Sequence, residues 1–192
     1  MNSIHRWLCN SAAWKRTLEE RIPWVLDGIE LGHNVLEVGP GTGLTTNILR
    51  AYAPQITVLE IDRTLARLLR KRTSGAIRVV QGDATCMPFQ DAQFSAVVSC
   101  TMLHHVPSKE LQDQLLREVR RVLQPGGPFA GMDSLESFRM RLIHIRDTLV
   151  PVNPGTFRSR LEGAGFEQTS IEVSAKCFRF CAHAPHEQNL AA

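Results

Sequence analysis

The stretch Val35-Leu36-Glu37-Val38-Gly39-Pro40-Gly41-Thr42-Gly43 decides the fold of this chain. It begins as an apolar run of strand length, ends in a turn with glycine at alternate positions, and leads into a helical pattern over residues 44–52. Glycine lets the backbone approach a ligand closely and adopt positive φ, and the start of a helix offers unpaired N–H groups. The order strand, glycine turn, helix therefore indicates an α/β domain with a nucleotide-like ligand at the turn.

Strand and helix patterns alternate outward from this stretch. Further strands are predicted at residues 56–61, 77–81, 94–101 and 128–133, with helices at residues 62–72 and 109–123. Repeated strand–helix–strand units produce right-handed crossovers and a parallel sheet with helices on both faces. The last two strand-like runs, residues 169–173 and 176–181, are too close together for a crossover and must form an antiparallel hairpin. We predict a Rossmann-like three-layer sandwich whose seven-stranded sheet is mostly parallel, with one antiparallel strand.

The 192 residues fit a single domain, with 43% hydrophobic and 21% charged residues as in ordinary globular proteins. We divide the chain into an N-terminal helical cap (1–30), a cofactor-binding core (31–133), a lid (134–155) and a C-terminal helix with hairpin (156–182). The remaining helices are predicted at residues 11–26, 135–149 and 156–165.

Charge and composition exclude several classes of protein. The net charge of +3 is too small to indicate a nucleic-acid partner. The five cysteines have spacings that fit no zinc module, so we predict reduced thiols and no metal site. No apolar run approaches the roughly 18 residues of a membrane-spanning helix, and residues 1–16 contain no signal-peptide-like stretch. These patterns predict a cytoplasmic protein without a membrane or nucleic-acid partner and leave its oligomeric state open.

Ligands of open α/β sheets bind beyond the carboxyl ends of the strands, and four of these ends have distinctive residues. The glycine turn is the first. At the second, the Glu60 carboxylate can accept two hydrogen bonds from ribose hydroxyls. At the third, Asp83 can accept from an adenine amine while the Ala84 N–H donates to a ring nitrogen. The fourth is residues 99–105, Ser-Cys-Thr-Met-Leu-His-His. Taken singly, each acid has an alternative to ligand binding: Glu60 as a surface acid and Asp83 as a turn aspartate.

In this order and spacing the motifs resemble those of class I S-adenosylmethionine-dependent methyltransferases, in particular the small-molecule subgroup that includes the ubiquinone/menaquinone-biosynthesis methyltransferases. VLEVGPGTG resembles the first motif, VLEID the acidic loop after the second strand, and GDATCMPF the motif after the third. SCTMLHHV and RVLQPGGPFAGMD resemble the fourth and fifth strand motifs, and LEGAGFEQTSIEV the entry into the last hairpin. The resemblance covers about residues 31–182.

The resemblance implies S-adenosylmethionine as cofactor and a small molecule as methyl acceptor. It places Glu37, Gly39, Pro40, Gly41 and Gly43 around the methionine portion of the cofactor. It further implies that Glu60 holds the ribose, Ile61 lies against the adenine, Asp83 and Ala84 read the adenine edge, and Thr101 lies near the transferring methyl. The implied reaction is an in-line displacement that depends mainly on positioning and needs no metal or covalent nucleophile.

Three histidines are candidates for acting on the acceptor, because a near-neutral imidazole can take a proton from a hydroxyl or amine. His104 and His105 follow the fourth strand, and of the two we prefer His105; His144 belongs to the predicted lid. A packing role is the alternative for each. Trp7 and Trp14 are predicted either to line an apolar lid or to anchor the N-terminal helix.

Three alternative functions compete with methyl transfer to a small molecule. A nicotinamide-dependent oxidoreductase would carry G-x-G-x-x-G, whereas the spacing here is G-x-G-x-G, and the only tyrosine, Tyr52, has Ile56 where a Tyr-x-x-x-Lys pair needs lysine. A non-catalytic S-adenosylmethionine-binding module stays open, since no residue is obligatory for the transfer itself. The third alternative is methylation of nucleic acid or protein. Adenine methylation is disfavoured because residues 101–104, Thr-Met-Leu-His, stand where its Asn/Asp-Pro-Pro-Tyr/Phe motif would be.

Overall fold

A seven-stranded sheet forms the middle layer of the computed structural model, which describes residues 11–186. Its strands are β1 Asn34–Val38, β2 Gln55–Glu60, β3 Arg78–Gln81, β4 Ala96–Cys100, β5 Pro128–Ser134, β6 Glu167–Val173 and β7 Cys177–His183. The helices are α1 Ala12–Val25, α2 Leu44–Leu49, α3 Arg63–Thr73, α4 Lys109–Val122, α5 Phe138–Ile143 and α6 Pro154–Gly163, and a single 3₁₀ turn covers Leu103–His105.

The strands lie in the order β3-β2-β1-β4-β5-β7-β6. Strand β7 is inserted between β5 and β6 and runs antiparallel to both, while the other neighbouring pairs are parallel. The predicted fold class, with its single reversed strand, is confirmed. The strand order changes direction between β1 and β4, and a doubly wound sheet binds its ligands at this switch point.

Side chains alternate across the sheet and produce one apolar core on each face. In β1, Leu36 packs toward the face covered by α4 and α6, and Val35 packs toward the face covered by α1, α2 and α3. Polar residues start the helices: Asp62 accepts backbone N–H bonds at the start of α3, and Ser108 accepts one at the start of α4. The result is a rigid frame that holds the strand ends together.

Helix α1 is fastened to the C-terminal hairpin at its last turn. The Trp24 indole N–H donates to the Glu172 carboxylate at 3.2 Å. The Arg179 guanidinium lies over the Trp24 ring, 5.0 Å from its centroid, and donates to the Trp24 carbonyl. The N-terminal cap therefore has an anchored end at Trp24. Residues 1–10 of the predicted cap, including Trp7, lie outside the described residues.

The prediction of a helix over residues 135–149 is wrong. Helix α5 is limited to Phe138–Ile143, where the Ser137 hydroxyl accepts from the Met140 N–H at 3.2 Å. His144 ends the helix, and Arg146 has a φ of 61°, which no right-handed helix accommodates. Within residues 11–186, no helix combines the length and the apolar character needed to cross a membrane.

Candidate functional site

A cavity of about 1000 Å³ lies at the carboxyl ends of the parallel strands. Its wall contains eight of the ten predicted cofactor-binding residues: Gly39, Pro40, Gly41, Glu60, Ile61, Asp83, Ala84 and Thr101. All three candidate histidines line the same cavity. The structure thus brings together residues from four strand ends, as expected when parallel strands finish at one edge.

The glycine turn contains one position that is open to the cavity. Gly41 has a φ of 55°, and a Cβ atom added there would meet no atom within 4 Å. A Cβ at Gly39 would lie 2.1 Å from Met102 Cγ, and one at Gly43 would lie 2.4 Å from Leu69 Cδ2. Gly39 and Gly43 are therefore needed for packing inside the protein, whereas Gly41 leaves room for a ligand.

The Glu60 carboxylate joins the glycine turn to the start of α3. One oxygen accepts from the Gly41 N–H at 3.0 Å and the other from the Asp62 N–H at 2.9 Å. Burial raises the pKa of Glu60, and the backbone hydrogen bonds from Asp62 and Gly41 oppose this shift. A carboxylate oxygen can accept more than one hydrogen bond, so both oxygens can still receive hydroxyl donors from the cavity.

Glu37 and Gly43 lie behind the cavity wall rather than on it. Glu37 is 2% exposed and accepts from the Thr46 hydroxyl at 2.5 Å. Burial raises its pKa to about 8, and the nearby Glu60 carboxylate adds to the effect of burial. Glu37 thus supports α2 from beneath the turn, and its influence on a bound cofactor passes through the residues in front of it.

Ile61 and Asp83 differ in how far their surroundings match the predicted roles. Ile61 is 65% exposed, an unusual state for a large apolar side chain, and a ring in the cavity would cover it. One Asp83 oxygen accepts from both the N–H and the hydroxyl of Thr85, at 2.8 and 2.9 Å. Asp83 is thus a turn aspartate that also lines the cavity, and its role in reading adenine stays a prediction.

Thr101 has the backbone conformation that L-residues rarely adopt. Its φ is 53°, directly after the last residue of β4. The conformation is held by the Thr101 N–H, which donates to the Met132 carbonyl at 2.8 Å, and by its hydroxyl, which donates to the Cys100 carbonyl at 2.8 Å. Backbone strain of this kind concentrates at ligand sites, where surrounding contacts enforce it.

The predicted cap and lid both border the cavity. Trp14 and Leu18 of α1 line the cavity, as do Met140 of α5 and His144, the residue that follows α5. Trp14 also packs against the apolar core under α1, so it combines the two roles predicted for it.

Asp133, at the end of β5, is a site residue that the sequence analysis missed. It is completely buried, and one of its oxygens lies 2.5 Å from Nδ1 of His104. Its other oxygen accepts from the His104 N–H at 3.2 Å. The signal available in the sequence was an acid closing an apolar strand beside the strand that leads to His104.

His144 joins this pair from 40 residues further along the chain. Its Nδ1 lies 2.7 Å from the Met140 carbonyl, and burial lowers the pKa of its imidazole. The His144 ring centroid is 5.1 Å from those of both His104 and His105, which are themselves 4.2 Å apart. The three rings form one cluster on the cavity wall, which we call the histidine cluster.

Residues 36–131, half of the chain, match the family described as "Methyltransferase domain". The chain belongs to this family. This methyltransferase is also 34% identical to the ubiquinone/menaquinone biosynthesis C-methyltransferase UbiE of Ectopseudomonas oleovorans, over 59% of this chain and 67% of that protein. UbiE of Pseudomonas aeruginosa PAO1 has the same identity, but the match covers only 44% of it. The methyltransferase chain thus spans less than half the length of that relative.

Solved structures share the fold of the methyltransferase at low sequence identity. The complex of the Haloferax volcanii Trm112 methyltransferase activator with a methyltransferase matches with a TM-score of 0.73 and 18% identity, covering 97% of this chain and 99% of that one. An Aquifex aeolicus S-adenosylmethionine-dependent methyltransferase also has a TM-score of 0.73 and 18% identity, with coverages of 95% and 97%. At such identities the likeness shows the fold alone.

The protein is a class I S-adenosylmethionine-dependent methyltransferase, and its cavity fits that cofactor. Gly41 leaves open space where a side chain would intrude, and the buried Glu60 carboxylate lies beside it. Exposed Ile61 supplies an apolar surface on the same wall. The family match also argues against the nicotinamide-dependent oxidoreductase, the alternative that the glycine spacing had already disfavoured.

Proposed function

We propose that this protein transfers the methyl group of S-adenosylmethionine to a small, largely apolar acceptor. The observation that supports the proposal is that one cavity extends from Gly41 and Glu60 to the histidine cluster. Two ligands can therefore lie side by side in it, which is the arrangement that an in-line displacement requires.

The protein's own contribution is positioning and exclusion of water. When bound, S-adenosylmethionine supplies a methyl group that is already activated. Glu60 would hold the ribose hydroxyls, Ile61 the adenine face, and Asp83 with Ala84 the adenine edge. Thr101 lines the same cavity and would lie near the transferring methyl. Alignment of this kind can account for a large part of a rate enhancement without a covalent intermediate.

The cap and lid bring mostly apolar side chains to the cavity wall, together with the charged residues Arg21, Glu136, Arg139 and Asp147. The apolar side chains that line the acceptor end are Trp14, Leu18, Leu111, Leu115, Leu135, Met140 and Ile143. The histidine cluster supplies imidazole groups that can accept a proton from a hydroxyl or amine. These features support a compact apolar acceptor with one ionisable group.

The identity of the acceptor does not follow from the relatives. Those named UbiE are C-methyltransferases of ubiquinone/menaquinone biosynthesis, but α1 and residues 134–155 lie outside the family match at residues 36–131. These are the segments that enclose the acceptor end. The fold is also shared by the [4+2]-cyclase SpnF, with a TM-score of 0.68, 18% identity and coverages of 91% and 81%. Fold alone therefore does not define the reaction.

We also propose that α1 and residues 134–155 act as a mobile cover. Both border the cavity, and α1 is fastened at Trp24, toward the end of the helix opposite to Ser11 at the cavity wall. Closure over bound ligands would exclude water from the site. A cytoplasmic location stays a prediction from the sequence.

Calorimetry followed by a transfer assay tests the proposed function. We expect the protein to bind S-adenosylmethionine and S-adenosylhomocysteine and to show no heat with NADH. Incubation with methyl-labelled cofactor and fractionated metabolite extracts should then yield a labelled small molecule. Binding of NADH but of neither adenosyl ligand would contradict the proposal. Cofactor binding without transfer to any fraction would instead favour the non-catalytic binding module.

A further inference from the structure

The histidine cluster has the composition of a transition-metal site. His104 and His105 occupy the 3₁₀ turn after β4, and His144 is the residue that ends α5. One ring nitrogen from each of the three lies within 4.8 Å of the other two. Imidazole is a preferred ligand of Zn²⁺, Cu²⁺, Ni²⁺ and related ions, whereas Mg²⁺ and Ca²⁺ prefer oxygen.

Two of the three rings are oriented by the hydrogen bonds that metal-binding histidines usually make. The His104 Nδ1–H donates to the buried Asp133 carboxylate at 2.5 Å, and the His144 Nδ1–H donates to the Met140 carbonyl at 2.7 Å. In each ring Nε2 is then the nitrogen that would bind a metal. A carboxylate or carbonyl behind the imidazole fixes its tautomer and increases its basicity toward the ion.

The acid behind His104 is itself held firmly. Asp133 is 0% exposed, and one of its oxygens also accepts from the Ser134 N–H at 2.6 Å. A carboxylate buried in this way is costly unless it is paired, and the His104 ring is the partner that the structure provides. The pair therefore resembles the carboxylate–histidine unit of metalloproteins rather than a chance contact.

We propose that His104, His105 and His144 bind a single divalent transition-metal ion of the zinc type, with a further coordination position directed into the cavity. Zinc–nitrogen bonds of about 2.0–2.1 Å place tetrahedral ligands about 3.3 Å apart. The observed separations of up to 4.8 Å require the rings to approach by about 1.5 Å. His105 is half-buried at the cavity wall, so rotation of its side chain can supply part of this movement.

The proposed ion gives the acceptor end a chemical function, and this part of the inference rests on the proposed methyl transfer. With the ion bound, the three imidazoles would act as its ligands instead of as proton acceptors. A hydroxyl or thiol of the acceptor would occupy the open position, and its proton would pass to water as the oxygen or sulfur bound the ion. Zinc lowers the pKa of bound water to about 7 in this manner. The site would thus select acceptors with a hydroxyl or thiol group and hold them as anions.

The first test is metal binding, measured without any cofactor or acceptor. Untagged protein is stripped with a chelator and titrated with Zn²⁺ in a calorimeter, and Co²⁺ is added separately to record the visible spectrum. We expect one ion per chain and the absorption of a tetrahedral or five-coordinate Co²⁺ site. His105→Ala and His144→Ala should each lower Zn²⁺ affinity by at least roughly 100-fold, and Asp133→Asn by about 10- to 100-fold.

The control is His33→Ala, which removes an exposed histidine just before β1. It should bind Zn²⁺ like the unaltered protein. His105→Ala is the decisive variant because it leaves the His104–Asp133 pair in place. Absence of stoichiometric Zn²⁺ and Co²⁺ binding would overturn the proposal, as would unchanged binding in His105→Ala and His144→Ala. S-adenosylhomocysteine titrations on the same samples report separately on the cofactor site, so failure of the metal proposal is distinguishable from failure of the proposed function.

Discussion

Replacement of Glu60 offers a quantitative test of the cofactor end. Both carboxylate oxygens accept backbone N–H groups, from Gly41 and from Asp62. In Glu60→Gln the new NH₂ group would face one of these donors, so one backbone bond is lost. We expect a loss of unfolding free energy of about 1–3 kcal/mol, with a fall in Tm of about 2–4 °C for each kcal/mol in a domain of this size.

The same substitution should also weaken cofactor binding. Loss of hydrogen bonds from a charged acceptor to the ribose hydroxyls costs about 1.5–3 kcal/mol. This corresponds to a roughly 10- to 150-fold increase in Kd for S-adenosylhomocysteine, measured by calorimetry. Glu162→Gln, which alters an exposed acid of α6, is the matched control and should leave Kd unchanged.

A ligand lacking the ribose hydroxyls separates direct contact from indirect disturbance of the glycine turn. Unaltered protein should bind 2′,3′-dideoxy-S-adenosylhomocysteine more weakly than the parent ligand by a similar factor. In Glu60→Gln the two ligands should differ little, because the acceptor for the hydroxyls has already been weakened. If both proteins discriminate equally between the two ligands, Glu60 does not hold the ribose and the argument from its position is refuted.

Three further predictions concern the turn, the buried acid behind it and the cover. Gly41→Val should remain folded by circular dichroism, although a side chain at its positive φ lowers the free energy of unfolding by about 1–2 kcal/mol. The variant should nevertheless lose affinity for the cofactor. Gly163→Ala, at an open site in α6, is the control and should leave the Kd unchanged. The pKa of Glu37 is raised from 4.5 to about 8, so its contribution to stability is full below pH 4.5 and is lost as pH rises through 8. The free energy of unfolding measured in urea should therefore decline by up to roughly 1 kcal/mol per pH unit across this window, and the decline should be absent in Glu37→Gln. If the two proteins show the same pH dependence, Glu37 is not the group responsible. Amide hydrogen exchange in α1 and residues 134–155 should slow when S-adenosylhomocysteine is added, and identical exchange with and without it would identify both as static additions.

The cofactor end could be predicted because its signals are local. Each strand end places its residue at the sheet edge by topology alone, so Gly41, Glu60 and Asp83 could be assigned to one cavity before any contact was known. The antiparallel β7 followed similarly from the short interval before it. In these cases the prediction depends only on residues that are neighbours in sequence or that lie at the same edge of the sheet.

The acceptor end depends on contacts between distant parts of the chain. His144 meets the His104 ring because α5, which follows β5, brings it to the turn after β4. The apolar pattern of residues 135–149 predicted a helix but contained no sign of which residues of the sheet that helix would approach. Asp133 was hidden for a different reason: an acid at the end of a strand is ordinary until the ring across from it is known. The prediction of no metal site relied on cysteine spacing and could not detect histidines that meet only in three dimensions.

The position of β7 has a consequence for how the chain matures during synthesis. Asp133 lies on β5, where its backbone pairs with Phe178 of β7, so one flank of this strand is closed by some of the last residues of the described chain. Because a domain folds as a unit, we expect the histidine cluster to be enclosed only after the C-terminal hairpin has docked.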